Sequence, residues 1–310
     1  MTESQSVLTN RIKRLARDLG FSACGVAPAG ELTEDAVRLK NWLKNSMHAD
    51  MQYMSNHFDL RTNPSKLVPG AKSAIVVLMN YYPRTIQQEQ DNLIISKYAY
   101  GKDYHKVMKR MLKHLQRTIE KEIAPLKGRV FVDSAPVLER ALAAAAGLGW
   151  IGKNAQLISP REGSFVFIGE LISDLELHYD KSLPDYCGGC SRCIQACPTG
   201  AIVEDRVIDS RKCISYWTIE NKKSEMDNSL KGKFMNRIFG CDICQDVCPW
   251  NKKVKPTNTE ELHPSPDLIS MTYSGWIQLT RDGFDSLFQG SAVKRAGYEG
   301  LMRNIRFITG

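Results

Sequence analysis

The placement of the cysteines constrains this chain more than any other feature. Eight of its nine cysteines lie between Cys187 and Cys248, whereas Cys24 stands apart in the segment FSACGVA. Residues 187–198 read CGGCSRCIQACP and residues 241–249 read CDICQDVCP, with Cys213 between the two runs. This clustering predicts a segment of short cysteine-rich turns. Cys24 is predicted to be a buried small apolar residue.

Metal ligation explains the clustered cysteines better than disulfide bonds do. Four disulfides would need an oxidising compartment, and the start MTESQSVLTNRIKRLA lacks the apolar stretch of an export signal. No run of about 18 apolar residues occurs either. The sequence therefore predicts a soluble, cytoplasmic protein with reduced thiols and no membrane partner.

The spacing CxxCxxCxxxCP is typical of ferredoxins with two [4Fe–4S] clusters, in which three thiolates bind one cluster and the fourth binds the other. The predicted ligands of one cluster are Cys187, Cys190, Cys193 and Cys248, and those of the second are Cys197, Cys213, Cys241 and Cys244. An insertion separates Cys213 from Cys241. A pair of zinc sites is the alternative, which the CxxxCP spacing on both sides disfavours. Two clusters predict a redox protein that moves electrons singly.

Hydrophobic periodicity predicts the remaining organisation. Helices are expected over 7–19, 104–124 and 136–146, and buried strands over 73–79, 129–133 and 165–172. The predicted fold is an α/β (α+β) domain at 1–180, a ferredoxin-like two-cluster module at 181–255 and a short helical C-terminal segment at 256–310.

Asp133 is the candidate catalytic carboxylate. It ends the apolar strand RVFV and precedes Ser134, Ala135 and Pro136, and Pro136 suits the first turn of a helix. An acid at such a corner can face a ligand and donate a proton. By position alone, helix capping is the favoured alternative.

The segment GLGWIG at 147–152 matches the GxGxxG pattern of dinucleotide sites. Such a site needs a strand before the glycines and a helix after them. Here an alanine-rich helix precedes the segment and the strand-like KNAQLI follows it, which argues against a nicotinamide site.

The net charge of +8 permits a polyanionic partner such as RNA. Two basic groups could follow a phosphate backbone, although such a run is usually only a solvated face. The first comprises Lys106, Lys109, Arg110, Lys113, Arg117 and Lys121, and the second comprises Lys222, Lys223, Lys231 and Lys233.

Several segments together resemble the epoxyqueuosine reductases. They are YAYGKDYHKVMKRML (98–112), VDSAPVLERALAAAAGLGWIGKN (132–154), CGGCSRCIQACPTGAI (187–202), CISYWTIE (213–220) and FGCDICQDVCPWN (239–251). The combination is specific, because the cysteine pattern is shared by many ferredoxin-like proteins but VDSAPVLER and GLGWIGKN are not.

The resemblance implies a cobalamin-dependent oxidoreductase that removes the epoxide oxygen of epoxyqueuosine at the tRNA wobble position, giving queuosine. It implies a corrinoid-binding domain before the cluster module and cobalamin held with its own base detached, which agrees with the missing DxHxxG motif. It also makes Asp133 the proton donor. Residues expected near the corrinoid by the same resemblance are Ser134, Trp150, Lys153, Asn154, Ser215 and Gly240.

The resemblance also sets expectations about partners. Electrons are expected from a low-potential donor that the sequence does not identify. Longer members continue into a helical-repeat domain that contacts tRNA, whereas this sequence stops after LMRNIRFITG. tRNA is therefore expected to bind a basic core surface, unless the chain is shortened. The alternatives are a corrinoid and iron–sulfur reductase of a small molecule, and a non-catalytic electron carrier.

Overall fold

The computed structural model describes residues 4–310. Its strands are β1 (Ala23–Pro28), β2 (Ser73–Asn80), β3 (Ile94–Ile95), β4 (Gly128–Phe131), β5 (Trp150–Ile151), β6 (Leu157–Ile158), β7 (Val166–Ser173), β8 (Ile202–Glu204), β9 (Val207–Ile208) and β10 (Arg237–Phe239). Its α-helices are α1 (Gln5–Asp18), α2 (Thr33–Lys44), α3 (Phe58–Thr62), α4 (Tyr104–Glu122), α5 (Glu139–Ala145), α6 (Arg192–Ala196), α7 (Ile243–Asp246), α8 (Pro266–Ser270), α9 (Tyr273–Ile277), α10 (Arg281–Leu287) and α11 (Gly297–Thr309).

A four-stranded sheet in the order β1-β2-β7-β4 organises the first part of the chain. All three pairings are antiparallel, so of the two predicted classes the domain is α+β. Every residue of β2 is buried. Its unbroken apolar run follows from burial on both faces of the sheet, where an alternating pattern would be expected only if one face met water.

Helices cover the two faces of this sheet. Alternate residues of β2, such as Ile75 and Val77, pack with α1 and α4. The apolar stripe of α4 includes Leu112. The intervening residues, such as Val76, pack with α5 through Leu142. The sheet thus positions two parts of the site. They are the Asp133 segment, which follows β4, and the N-terminal residues of α4, which packs against the sheet.

The predicted long elements are confirmed: α1, α4, β2 and β7 lie where the periodicity placed them. The prediction was wrong about the segment around Asp133, because β4 ends at Phe131 and α5 begins only at Glu139. Strand β1 was not predicted. Its short sequence ACGVAP offers mostly small side chains and therefore a weak strand signal. Cys24 lies in β1, partly buried against the core, and burial raises the pKa of its thiol to about 12.

The later segments interlock with the first domain. Strand β3 pairs in parallel with β10 of the cysteine-rich region. The predicted helical C-terminus is confirmed by α8 to α11. Asn304 of α11 is fully buried, and its amide donates to the carbonyls of Thr218 and Ile238 at 2.9 Å each. The predicted boundaries near 180 and 255 stay predictions. Within residues 4–310, no helix combines the length and apolar character needed to cross a membrane.

Candidate active site and cluster ligands

Asp133 lies in a tight turn between β4 and α5. Asp133 has a φ of 52°, in the left-handed region that few non-glycine residues occupy. The next amide, of Ser134, donates to the carbonyl of Val132 at 2.6 Å, and the Asp133 amide donates to the Glu139 carboxylate. Helix α5 has Leu138 at its N-cap without a side-chain cap, so the predicted capping role of Asp133 and helical position of Pro136 are wrong.

The N-terminus of α4 supplies the partners of this carboxylate. The hydroxyl of Tyr104 donates to Asp133 Oδ2 at 2.8 Å, and His105 Nε2 lies 2.8 Å from the same oxygen. Arg295, which precedes α11, brings Nη1 within 3.6 Å of it. One carboxylate oxygen therefore gathers a phenol, an imidazole and a guanidinium.

His105 is held from both ring nitrogens. Its Nδ1 lies 2.7 Å from Asp103 Oδ1, while Nε2 faces Asp133. Asp103 is also the N-cap of α4, where its carboxylate accepts the His105 amide at 3.1 Å. The ring stacks on Tyr104 with centroids 4.1 Å apart. The helix start thus fixes both the position and the orientation of the imidazole.

These contacts set opposite charges on Asp133 and His105. Burial favours a higher pKa for Asp133, but hydrogen bonds from His105 and Tyr104 and the charge of Arg295 bring its pKa below the ordinary value. Burial opposes the charged form of His105, yet Asp133 and Asp103 raise its pKa above the ordinary value. At neutral pH this arrangement favours a carboxylate beside an imidazolium.

Asp133 and Arg140 are both open to solvent and closely surrounded by protein. The Asp133 side chain is 45% accessible although the surrounding protein strongly desolvates it. Arg140 is likewise exposed, yet burial lowers the pKa of its guanidinium. Solvent therefore reaches both side chains, while the protein packed around them weakens their hydration.

Contacts from Arg140 lead to the cysteine-rich region. Arg140 Nη1 donates to the carbonyl of Ala155 at 2.5 Å. In the same loop, the buried amide of Asn154 donates to the carbonyl of Cys244 at 3.4 Å. A continuous series of contacts therefore joins Asp133, through α5, to a predicted cluster ligand.

The cysteines fall into two neighbourhoods. Burial raises the pKa of the Cys248 thiol, and the nearby Cys187 and Cys190 raise it further; Cys193 is affected similarly by Cys187 and Cys248. In the second neighbourhood, burial raises the pKa of the Cys244 thiol, and the nearby Cys241, Cys213 and Cys197 raise it further.

The structure thus brings together the members of each predicted ligand set, and all are free thiols. Within residues 4–310, no three or more His, Cys, Asp or Glu side chains are arranged to hold a single metal ion. Their role as cluster ligands stays a prediction.

Of the six residues predicted near a corrinoid, only Ser134 lies beside Asp133. Trp150 is buried and donates through Nε1 to the Cys187 sulfur at 3.5 Å. Lys153 Nζ pairs with Asp205 at 3.3 Å. Ser215 hydrogen-bonds the Cys213 thiol, and the Gly240 amide, next to Cys241, donates to Thr218 Oγ1 at 2.9 Å. With Asn154, these residues lie on or against the cysteine-rich region.

Sequence reasoning missed Tyr104, His105 and Arg295. No generic motif marks a residue that contacts, in the folded chain, a carboxylate distant in sequence. Glu170 was also missed, although a glutamate inside the apolar strand FVFIGELI is a visible signal. Glu170 is fully buried in β7, and within residues 4–310 neither of its carboxylate oxygens has a hydrogen-bond partner. Burial raises its pKa well above the ordinary value.

Known proteins match the chain over nearly its whole length. A relative from Cellulophaga algicola named epoxyqueuosine reductase is 54% identical over 96% of each chain. The chain belongs to the epoxyqueuosine reductase family. An epoxyqueuosine reductase from Pseudomonas aeruginosa is 40% identical and covers 96% of this chain, which in turn covers 84% of that relative.

Family models and solved epoxyqueuosine reductases agree with this assignment. A model described as Epoxyqueuosine reductase QueG, DUF1730 matches residues 61–134, and a 4Fe-4S double cluster binding domain matches residues 186–251. A crystal structure of an epoxyqueuosine reductase with an epoxyqueuosine-modified tRNA-Tyr stem loop aligns with a TM-score of 0.89 at 26% identity, over 97% of this chain and 80% of that one. The Streptococcus thermophilus epoxyqueuosine reductase aligns with a TM-score of 0.87 at 29% identity, over 96% and 80%.

Proposed function

We propose that this chain reduces the epoxide of epoxyqueuosine at the wobble position of tRNA, giving queuosine. The observation that carries the proposal is the solvent-accessible Asp133 carboxylate, hydrogen-bonded by Tyr104 and His105 and linked through α5 and Asn154 to Cys244. A related enzyme solved with an epoxyqueuosine-modified stem loop supports the same substrate. We expect the reaction to take place in the cytoplasm.

Two [4Fe–4S] clusters would carry the electrons. The double-cluster match over 186–251 and the two cysteine neighbourhoods support this role. The first cluster would be held by Cys187, Cys190, Cys193 and Cys248, and the second by Cys197, Cys213, Cys241 and Cys244. A low-potential donor, not yet identified, would reduce them.

Cobalamin would bind between Asp133 and the second cluster. The contacts that link Arg140, beside Asp133, to Cys244 through the loop of Asn154 support this placement, because they bring the carboxylate and a proposed cluster ligand to one region. When bound, cobalamin supplies a strongly reducing, nucleophilic cobalt, and the protein supplies position and protons. The residues proposed to surround it are Ser134, Trp150, Lys153, Asn154, Ser215 and Gly240.

Asp133 and the residues around it would act in the protonation of the departing oxygen. Opening an epoxide builds negative charge on that oxygen, and a proton from Asp133 neutralises it. Tyr104 and Arg295 hold the carboxylate, while the Glu139 carboxylate accepts the Asp133 amide and maintains the turn. Since its neighbours favour the ionised form, Asp133 must be protonated before it can donate.

The basic face of α4 is the surface best suited to tRNA. Lys106, Lys109, Lys113, Arg117 and Lys121 follow one another at intervals of three or four residues and are all exposed. The 19-residue helix is about 28 Å long and begins at the Asp133 partners. In the second basic group, Lys223 pairs with Asp50, and Lys231 donates to the carbonyl of Gly310. Charges already engaged by protein are less available to phosphates.

The test is anaerobic reconstitution with iron, sulfide and cobalamin, followed by reduction and mass spectrometry of epoxyqueuosine-containing tRNA. Wild type should remove one oxygen from the base, and Asp133→Asn, with cofactors still bound, should lose about 10²- to 10⁴-fold in kcat. An inactive but fully loaded wild type would favour a small-molecule reductase instead. A chain that binds clusters but no corrinoid would favour an electron carrier.

A further inference from the structure

The proposed reaction needs more protons than Asp133 holds. Removing an epoxide oxygen as water, with formation of a carbon–carbon double bond, consumes two electrons and two protons. A single carboxylic acid can deliver one proton before it must be protonated again. A donor for the second proton must therefore reach either the oxygen or Asp133 itself.

His105 has the geometry of that donor. Its Nε2 lies 2.8 Å from Asp133 Oδ2, within reach of direct proton transfer. Its Nδ1 lies 2.7 Å from Asp103, which holds the ring in place and balances its positive charge. The His105 side chain is only 14% accessible, whereas Asp133 is 45% accessible. The imidazole therefore sits behind the carboxylate rather than beside the substrate.

The other groups around this pair are less suited to proton transfer. Tyr104 donates to the same oxygen, but burial and the Asp133 charge raise its pKa far above the ordinary value, so it retains its proton. Arg295 retains its proton at all working pH values. Burial and the Asp133 charge raise the pKa of Glu139 to about 8, but Glu139 contacts the Asp133 backbone amide, and within residues 4–310 no hydrogen bond joins the two carboxyl groups along which a proton could pass. Glu170, behind them in β7, has no hydrogen-bond partner among residues 4–310. More distant groups whose charges act on these residues are Tyr53, Tyr98, Arg140 and Glu220.

We propose that His105 recharges Asp133 within each turnover by passing its Nε2 proton to Asp133 Oδ2. This inference rests on the proposed function. The first Asp133 proton converts the opened epoxide oxygen to a hydroxyl, and the second, drawn from His105, lets that hydroxyl leave as water. The two electrons come from the low-potential donor. His105 ends neutral and regains a proton from solvent. Until then, Arg295 Nη1, which lies 3.3 Å from Nε2, can donate a hydrogen bond to this deprotonated nitrogen.

The first experiment compares pH–rate profiles of wild type, His105→Gln and His114→Gln. His114 is an exposed histidine nine residues after His105 on the same helix, so its variant is the matched control. Wild type should lose kcat on the alkaline side as His105 deprotonates. His105→Gln should lower kcat by about 10²-fold with KM for tRNA nearly unchanged, and should abolish that alkaline limb. A uniform loss that preserves the limb would indicate a merely structural role and overturn the proposal.

A second experiment does not depend on turnover. The His105 ring is titrated by NMR in the holoenzyme for wild type, Asp133→Asn and Asp103→Asn. Asparagine retains the N-cap of α4 but removes the charge, so Asp103→Asn should lower the pKa of His105 and move the alkaline limb to lower pH. Asp133→Asn should also lower the pKa of His105. If the His105 titration were unchanged in Asp133→Asn, the coupling would be refuted even if the wild type were inactive. If only the proposed function failed, the pKa of His105 would still fall in Asp133→Asn.

Discussion

At the scale of single residues, Glu170 is a carboxylic acid whose charged form is disfavoured by the fold. It is fully buried in the central sheet, and within residues 4–310 no donor reaches its oxygens. Its pKa lies well above the ordinary 4.5, because burial penalises the charged form and the nearby Glu139 and Asp133 add repulsion. The folded protein therefore binds the Glu170 proton more tightly than the unfolded chain does.

This difference predicts a stability that falls as pH rises. A group whose pKa is raised by folding stabilises fully below its unfolded pKa, and that contribution is lost as pH approaches the folded value. Wild type should lose about 1.4 kcal/mol per pH unit from this residue above pH 4.5. Glu170→Gln cannot ionise, so its Tm relative to wild type should be higher at about pH 7.5 than at about pH 5.5.

Glu122→Gln is the control, because Glu122 is exposed at the end of α4. Its effect on Tm should be small at both pH values. A Glu170→Gln variant whose Tm difference from wild type does not change with pH would mean that Glu170 is ionised or solvated in the folded protein.

At the scale of secondary-structure elements, α4 joins the site to the proposed tRNA surface. Its N-terminus carries Tyr104 and His105, and its exposed face carries the five cations defined above. Lys109→Gln together with Lys113→Gln should weaken tRNA binding, and the slope of log K against log salt should become shallower by about 0.7–0.9 per lost phosphate contact. Binding titrations at several salt concentrations measure both effects.

The control removes the same charge elsewhere. Lys40→Gln together with Lys44→Gln alters two exposed lysines of α2 and should leave the slope unchanged. Equal weakening by both pairs would mean that net charge alone attracts tRNA, and that α4 is not a contact surface.

The elements also show which parts of the fold the sequence could predict. Helix α4 and strand β2 were predictable because their apolar patterns are long and follow a single period. The turn at Asp133 was not, since its left-handed backbone depends on Glu139 and on side chains from α4, which local periodicity does not encode. Asp133 itself was found through a resemblance; its partners emerged only when distant segments came together.

At the scale of the whole molecule, the proposed ligand sets cross between segments. Each cluster would take ligands from the run before the insertion and from the run after it, where α6 packs against α7. Such interleaving ties the two runs into one module. The sequence predicted this arrangement because cysteine spacing records it directly, whereas the contacts between the module and the Asp133 segment involve residues that share no spacing.

Interleaving can be separated from a sequential arrangement by combining two substitutions. In the proposed arrangement Cys213 and Cys248 serve different clusters, so Cys213→Ser and Cys248→Ser should each lose about half of the iron, and the double variant should lose nearly all of it. If Cys187 to Cys197 held one cluster and Cys213 to Cys248 the other, both substitutions would damage the same cluster and the double variant would retain about half.

Iron and sulfide analysis with EPR of the reduced protein would distinguish these outcomes. Cys24→Ser, in β1 and far along the chain from both runs, is the control and should keep the full cluster content. Because ligated metal contributes to folding free energy, the double variant should also unfold at a lower temperature than either single variant. Half retention of iron in the double variant would replace the interleaved sets with sequential ones and place Cys248, rather than Cys197, on the cluster nearest Asn154.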